Sequence, residues 1–192
     1  NLSVEAEKAI EARGYSTINI NKSGENTIVL NGDIVFGTPN VEGGDSNNSG
    51  NIIDAYVNVN LSGENSSWTG RSYQTYSYKD DDGNEVAVET SVIGENSDYH
   101  GQVSVLSLTV RDGATITTTG DSFANVLNMD SGNMNLADIS TLYANDFSVA
   151  GDSNTINLGS GADISGTIND TGTLYLTGDT DSFTGALNVF GK

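Results

Sequence analysis

Residues 172–191 constrain the fold more than any other part of this sequence. They contain two short alternating segments, with Leu174 and Leu176 in one and Leu187 and Val189 in the other, on either side of a polar turn. Alternation with a period of two predicts β-strands with one buried face. Strands this short cannot bury that face alone, so copies of the unit must stack on one another. The pattern therefore predicts a β-solenoid, which is an elongated fold.

Similar short segments recur through most of the chain. Between several of them stand Gly-Asp or Asp-Gly pairs, which are typical of turns. Their irregular spacing favours a parallel β-helix with turns of variable length over a strict short-repeat solenoid. We therefore predict an all-β fold in which residues 15–192 form a β-helix, with strands at residues 17–20, 27–30, 52–61, 107–110, 125–129, 140–143, 155–158, 173–176 and 186–189.

Residues 1–14 show a different pattern, which predicts a short α-helix over residues 3–13. Ser3 is a suitable N-cap, Glu5 and Glu7 stand at the positive end of the helix dipole, and Arg13 precedes a stop at Gly14. This amino-terminal helix would either cover the open end of the solenoid or pack elsewhere as a terminal helix.

Residues 64–101 depart from the short-strand pattern. Residues 72–79 and 85–93 predict a β-hairpin around the turn Asp80-Asp81-Asp82-Gly83-Asn84. We interpret residues 64–101 as an excursion that projects from the β-helix.

The net charge of −19 excludes several classes of partner. The 192 residues include only seven basic ones, scattered along the chain, so no basic stripe exists for phosphates and we predict no nucleic-acid binding. An anionic membrane surface is disfavoured for the same reason. No segment approaches the roughly 18 apolar residues of a membrane helix, so no membrane insertion by this segment is expected. Because cysteine is absent, stability must come from packing and backbone ladders.

Residues 172–191 also resemble a known repeat. They are similar to the passenger-associated β-helix repeat of bacterial autotransporters, which reads approximately G-T-L-x-L-x-G-x-x-x-[YF]-T-G-x-x-x-V-x-x-G. The matching residues are Gly172, Thr173, Leu174, Leu176, Gly178, Phe183, Thr184, Gly185, Val189 and Gly191.

The resemblance implies a right-handed parallel β-helix exported by type V secretion. The segment would belong to the passenger and lie at the cell surface, or be secreted, outside the outer membrane of a Gram-negative-type bacterium. It further implies adhesion, self-aggregation and biofilm formation as common roles, with no cofactor. The expected partners are a second copy, or a host or cell-surface protein or glycan.

Four aromatic residues, Trp68, Tyr73, Tyr76 and Tyr78, are the candidate ligand-binding residues. Tyr76 and Tyr78 fall on one face of the predicted strand, where exposed rings would form a stacking platform for a sugar or a protein. Alternatively, the rings form a small core within the excursion or pack it onto the β-helix. The sequence leaves both interpretations open.

The acidic residues 80–85 raise the question of calcium, which takes several oxygen ligands. Glu85 stands where the helix–loop–helix calcium pattern requires glycine. A charged hairpin turn is therefore favoured, and no metal site is predicted. Threonines alternate over residues 115–119, but an ice-binding array needs such a pattern on successive strands, and the sequence shows it in one segment only.

The chain is predicted not to be an enzyme. Some β-helix polysaccharide hydrolases use a His-Gly pair like His100-Gly101, but the Arg-x-Lys and Asn-Thr-Asp segments that accompany it are absent. We expect a surface-exposed structural and adhesive segment. One alternative is a polysaccharide-acting enzyme on the same fold, using Asp98 and His100 near Arg71 or Arg111. Another is a phage tail or other scaffold module.

Overall fold

The computed structural model describes residues 1–37, 53–93 and 102–190. These residues contain no α-helix and one 3₁₀ turn, Thr180–Ser182. The strands are β1 (Leu2–Arg13), β2 (Ser16–Ile20), β3 (Ile28–Gly37), β4 (Ile53–Ser62), β5 (Ser67–Gly70), β6 (Ser72–Lys79), β7 (Glu85–Thr90), β8 (Gln102–Arg111), β9 (Thr115–Thr118), β10 (Ser122–Asp130), β11 (Asn133–Leu136), β12 (Thr141–Ala150), β13 (Asn154–Leu158), β14 (Asp163–Ser165), β15 (Thr167–Asp170), β16 (Leu174–Gly178) and β17 (Ala186–Val189).

The strands form two sheets. Sheet A has nine strands in the order β16-β13-β11-β9-β5-β3-β6-β7, with β1 also beside β3. Sheet B has eight strands in the order β17-β15-β12-β10-β8-β4-β2, with β14 also beside β12. Within the described ranges every pair of strands is parallel except β6 and β7. The predicted all-β class is confirmed.

From β8 onward the chain passes alternately between the two sheets, except that the successive strands β14 and β15 are both in sheet B. Each strand pairs with the next strand of its own sheet, so side chains 18 to 21 positions apart in sequence become neighbours. Parallel strands cannot be joined by a tight turn, and the strand in the other sheet supplies the necessary crossover. This arrangement is compatible with a β-helix or solenoid.

The core lies between the sheets and consists of apolar residues aligned in columns across the strands. One column in sheet A runs through Leu30, Trp68, Ile116, Met134 and Ile156, and all five are buried. A column in sheet B runs through Val59, Leu108, Leu127, Phe147 and Ile168, also buried. The period-two alternation of the sequence therefore places one side of most strands in the core. β17 is an exception, because Leu187 and Val189, predicted to lie on a buried face, are 44% and 62% exposed.

The predicted amino-terminal helix is wrong. Leu2–Arg13 is strand β1, which pairs in parallel with β3. Helix propensities of ordinary residues differ by only about 0.7 kcal/mol, and a helix of this length is marginal by itself. As a strand, the segment bonds its backbone to β3 and buries Ile10 and Ala12. Tertiary pairing therefore outweighs the local helix signals.

Gly32 permits the close approach of β1 to β3. The register of the two strands shifts on both sides of Lys8. Opposite this irregularity Gly32 has φ +139°, and a Cβ atom there would lie 2.0 Å from the carbonyl oxygen of Ala6. Only glycine combines that backbone conformation with the absence of a side chain.

The predicted hairpin is confirmed. β6 and β7 pair antiparallel, from Gln74 opposite Thr90 to Lys79 opposite Glu85. The second strand ends at Thr90 instead of at residue 93. β6 also pairs with β3, and β5 lies between β3 and β9. Residues 67–79 of the expected excursion are therefore part of sheet A, while residues 94–101 lie outside the described residues.

Candidate binding surface

Trp68 lies in the core and not on the surface. On β5 its side chain points inward between Leu30 and Ile116, and it is 1% exposed. The indole N–H donates a hydrogen bond to the carbonyl oxygen of Gly32 at 2.9 Å. This bond satisfies the polar atom of a buried tryptophan. Trp68 therefore has a structural role at the centre of sheet A.

Tyr73 is also buried, beneath an arginine. The Arg71 guanidinium carbon lies 4.8 Å from the centre of the Tyr73 ring, within the range of a cation–π contact. Burial raises the pKa of the Tyr73 hydroxyl, and the nearby carboxylates of Glu89 and Asp33 add to this effect, whereas Arg71 opposes it. A hydrogen bond also holds the backbone of Arg71 in place, because its N–H donates to Asp33 Oδ1 at 2.8 Å.

Tyr76 and Tyr78 occupy alternate positions on β6, opposite Val88 and Val86 of β7. Tyr76 is 6% exposed, whereas Tyr78 is 43% exposed. The side chains of β6 are therefore more deeply buried near residues 72–75, which pair with β3, than near the hairpin turn. Of the four candidate residues, only Tyr78 presents a large part of its ring to solvent.

The acidic turn of the hairpin is held together by Asp80. Its Oδ1 accepts hydrogen bonds from the backbone N–H of Asn84 at 2.8 Å and of Asp82 at 3.0 Å. The bond from Asn84 is the main reason that the pKa of Asp80 lies below its ordinary value. Its oxygens therefore organise the turn, as local carboxylate–backbone bonds commonly do.

Sheet A presents a continuous polar surface on its outward side. On four neighbouring strands of sheet A, β5, β9, β11 and β13, two outward positions on each strand are occupied by serine, threonine or asparagine. We name this surface the sheet A polar face, and its residues are Ser67, Thr69, Thr115, Thr117, Asn133, Asn135, Thr155 and Asn157. None of these eight side chains is ionisable.

Hydrogen bonds along the columns hold several of these side chains in place. The Asn135 amide donates to Thr117 Oγ1 at 3.4 Å, and the Asn133 amide donates to the Gly113 carbonyl oxygen at 3.2 Å. Thr177 of β16 extends the second column, and its hydroxyl donates to Asn157 Oδ1 at 3.3 Å. The sequence alone does not reveal this surface, because its members are far apart in the chain, although each strand shows the polar alternation.

Sheet B carries comparable polar columns. Ser148 donates to Asn128 Oδ1 at 2.7 Å, and Asn188 donates to Asn169 Oδ1 at 3.1 Å. An ionisable residue, Asp146, lies two positions before Ser148 on β12 and is exposed. The outward side of sheet B is therefore polar but not free of charge.

Aspartates at the corners connect successive strands. Asp121 accepts the backbone N–H of Thr141 at 2.9 Å, and Asp138 accepts that of Ser160 at 2.8 Å. Asp179 accepts the backbone N–H of Gly161 at 2.8 Å. Each bond satisfies a donor where the chain leaves the regular ladder. These carboxylates therefore link successive turns of the chain through hydrogen bonds.

The described ranges contain no group of three or more histidine, cysteine, aspartate or glutamate side chains arranged to hold a metal ion. No helix among those residues has the length and apolar character needed to span a membrane. Asp98 and His100, considered as catalytic candidates, lie outside the described residues. Arg71 covers Tyr73, and the Arg111 Nε atom lies 3.6 Å from a carboxylate oxygen of Asp112.

Comparison with known proteins identifies no relative: no family model, no curated protein and no solved structure matches this chain.

Proposed function

We propose that this chain is an adhesive segment of an autotransporter passenger, folded as a right-handed parallel β-helix and displayed at the surface of a Gram-negative-type bacterium. The parallel register supports this proposal, since each sheet grows by strands that pair in one direction. A fold that adds coils along one axis gains length without gaining thickness. Length of this kind suits a protein that must reach from one cell to another surface.

The adhesive contacts in this proposal are made by the outward polar columns of both sheets. Hydroxyl and amide groups carry both donors and acceptors, so two identical surfaces can bond to each other. Each contact is weak, but many copies on each cell act together and raise the overall avidity. A self-complementary surface of this type forms the isologous contacts common in homodimers.

The charge of the protein limits where copies can meet. A net charge of −19 makes copies repel one another unless salt screens them, with a screening length of about 8 Å at physiological ionic strength. The outward columns place uncharged hydroxyl and amide groups at the contact, although Asp146 is exposed on the outward side of sheet B. Association in this proposal therefore strengthens as ionic strength rises toward the physiological value.

The hairpin is the proposed site for a different partner, such as a host protein or a glycan. Tyr78 is its exposed aromatic residue, whereas Tyr73 and Tyr76 of the same strand and Trp68 of β5 are buried. An aromatic ring with a polar tip is well suited to such a surface.

β1 takes the place expected for a terminal cap, and its charged edge residues, including Glu5 and Glu11, discourage pairing with further strands.

Sedimentation velocity tests the homotypic part of the proposal. The protein is measured over a wide concentration range at two salt concentrations, with and without calcium. We expect reversible, concentration-dependent dimers or chains that increase at the higher salt concentration. A monomer under every condition would overturn self-association for this segment.

Two isosteric variants locate the contact. Asn135→Asp adds a charge to sheet A, and Asn128→Asp adds one to sheet B, each without a change of side-chain size. The variant that weakens association identifies the sheet in contact, because like charges that face each other across an interface are unfavourable. Equal association of both variants and the parent protein would contradict a contact through these columns.

A further inference from the structure

The sheet A polar face is an ordered two-dimensional array. Its four strands pair without a register shift, so each outward residue has a partner directly across on the next strand. Adjacent strands are about 4.8 Å apart, and alternate residues along a strand are about 6.6 Å apart. The array therefore repeats its hydroxyl and amide groups at two fixed distances.

The array contrasts with the rest of the protein in its charge. The chain has 26 acidic residues among 192, yet none stands at the eight positions of the sheet A polar face. An ionised side chain orders water around itself in a shell that does not continue into a lattice. Hydroxyl and amide groups instead accept and donate bonds in the same way as water molecules do.

The side chains of the array are also held in position. Bonds from Asn135 to Thr117 and from Thr177 to Asn157 run along the column. β-Branched threonine has few rotamers in a strand. A surface that is ordered before it binds loses little conformational entropy on binding.

We propose that the sheet A polar face binds ice. Ice exposes rows of water oxygens with repeats of the same order as the two spacings of the array. Water molecules bonded to successive threonine and asparagine groups would occupy positions that continue into the crystal. The binding site is the set of columns formed by β5, β9, β11 and β13. This inference does not rest on adhesion between cells.

Trp68 is the aromatic residue on strands β5, β9, β11 and β13, and its inward orientation favours ice over a sugar polymer as the ligand of this face. Trp68 lies in the middle of β5 but points into the core, so no indole ring is available within the face for stacking against a sugar. An exposed ring, that of Tyr175 on β16, lies opposite Thr155 at the edge of the face. The array therefore offers hydrogen-bonding groups at regular spacing, which match a lattice of water.

Partition into ice tests the proposal. Polycrystalline ice is grown slowly from a dilute, stirred solution of the 192-residue protein, and the protein in the melted ice is compared with that in the remaining liquid. We expect the protein to be enriched in the ice fraction. Exclusion of the protein from ice, as happens to ordinary solutes, would overturn the proposal.

A pair of matched double variants assigns the face. In Thr117→Lys/Asn135→Lys, two long charged side chains interrupt the sheet A polar face, and we expect the partition ratio to fall by about tenfold or more, equivalent to about 1.4 kcal/mol. In Ser148→Lys/Asn169→Lys, the same change is made on sheet B, and the ratio should stay at the parent value. Equal loss in both variants, or retention in the sheet A variant, would contradict this site.

Two further measurements distinguish the loss of ice binding from unfolding and from the loss of self-association. Circular dichroism and thermal unfolding confirm that both double variants are folded before their partition is compared. Sedimentation velocity on the same proteins reports self-association separately. If ice excludes the parent protein, and the sheet A double variant loses the self-association of the parent, the ice proposal is overturned. The sheet A polar face would then be a contact with a second copy of the chain.

Discussion

Asp163 of β14 and Thr184, in the segment just before β17, are joined by two hydrogen bonds. Asp163 Oδ1 accepts the backbone N–H of Thr184 at 2.7 Å, and Oδ2 accepts the Thr184 hydroxyl. Partial burial of Asp163 disfavours its ionised form, but the bonds from Thr184, Ile164 and Gly185 outweigh this and lower the pKa of the carboxyl group below its ordinary value. The ionised carboxylate is therefore part of the folded structure at neutral pH.

This relationship predicts a pH-dependent stability. Because the folded-state pKa of Asp163 is depressed, its contribution is present above the pKa of the unfolded chain and is lost as pH falls through the folded value. We expect Asp163→Asn to reduce the free energy of unfolding by about 1 kcal/mol at pH 7, with a smaller difference from the parent protein at pH values below about 4. Urea unfolding at several pH values measures both.

Asp146→Asn is the control for that prediction. Asp146 is an exposed carboxylate on β12, and its replacement should change stability by less than about 0.5 kcal/mol. A constant difference between Asp163→Asn and the parent protein across the whole pH range would contradict the assigned role of the carboxylate.

Trp68 is predicted to be a determinant of stability. Trp68→Ala removes a fully buried ring and leaves the Gly32 carbonyl oxygen without its indole donor. We expect a loss of about 3–5 kcal/mol in the free energy of unfolding, from lost burial and the cavity that remains. Denaturant unfolding monitored by far-ultraviolet circular dichroism measures it, and a loss below about 1 kcal/mol would show that Trp68 is not packed as described.

Replacement of Tyr78, unlike that of Trp68, is predicted to leave the stability of the fold nearly unchanged. Its ring is 43% exposed at the far part of the hairpin, so Tyr78→Ala should change the free energy of unfolding by about 0.5 kcal/mol or less. If the hairpin binds a protein or glycan, the same variant should weaken that binding, which a glycan array and cell-binding assays would detect. Binding that survives Tyr78→Ala unchanged would exclude this residue from the contact.

Gly32 is predicted to be intolerant of a side chain. Gly32→Ala places a methyl group against the Ala6 carbonyl oxygen and forces alanine to adopt φ +139°. We expect a loss of about 1–3 kcal/mol for such a backbone conformation, with faster hydrogen exchange of the β1 amides. Gly63→Ala is the matched control, since Gly63 also has a positive φ, +90°, but no atom lies within 4 Å of its added Cβ. Equal losses would show that the contact with Ala6 is unimportant.

Much of the secondary structure is predictable because it depends on local information. The alternation of Leu174 with Leu176 and of Leu187 with Val189 predicts β16 and β17, and the polar turn at residues 80–84 predicts the hairpin. Residues 3–13 carry equally local signals for a helix, yet they form β1. Local signals fail there because β3 offers a backbone ladder and a place for Ile10 and Ala12.

The candidate residues show the same limit. Trp68 and Tyr78 are both aromatic residues in or beside the predicted hairpin, but one is in the core of sheet A and the other is on the surface. The sequence does not distinguish them, because their burial depends on strands β3 and β9, whose residues are distant in the chain.

By itself, the sequence determined the all-β class, most strand positions, the hairpin turn and the strong negative charge, since each follows from residues within a short window or from a sum over the chain. Only the tertiary structure decided that residues 2–13 form a strand, which aromatic residues are buried, and which polar residues share a face. Thr117 and Asn135 are neighbours because parallel pairing joins strands 18 positions apart. Long-range pairing of this kind sets the chemistry of the surface, and no local pattern specifies it.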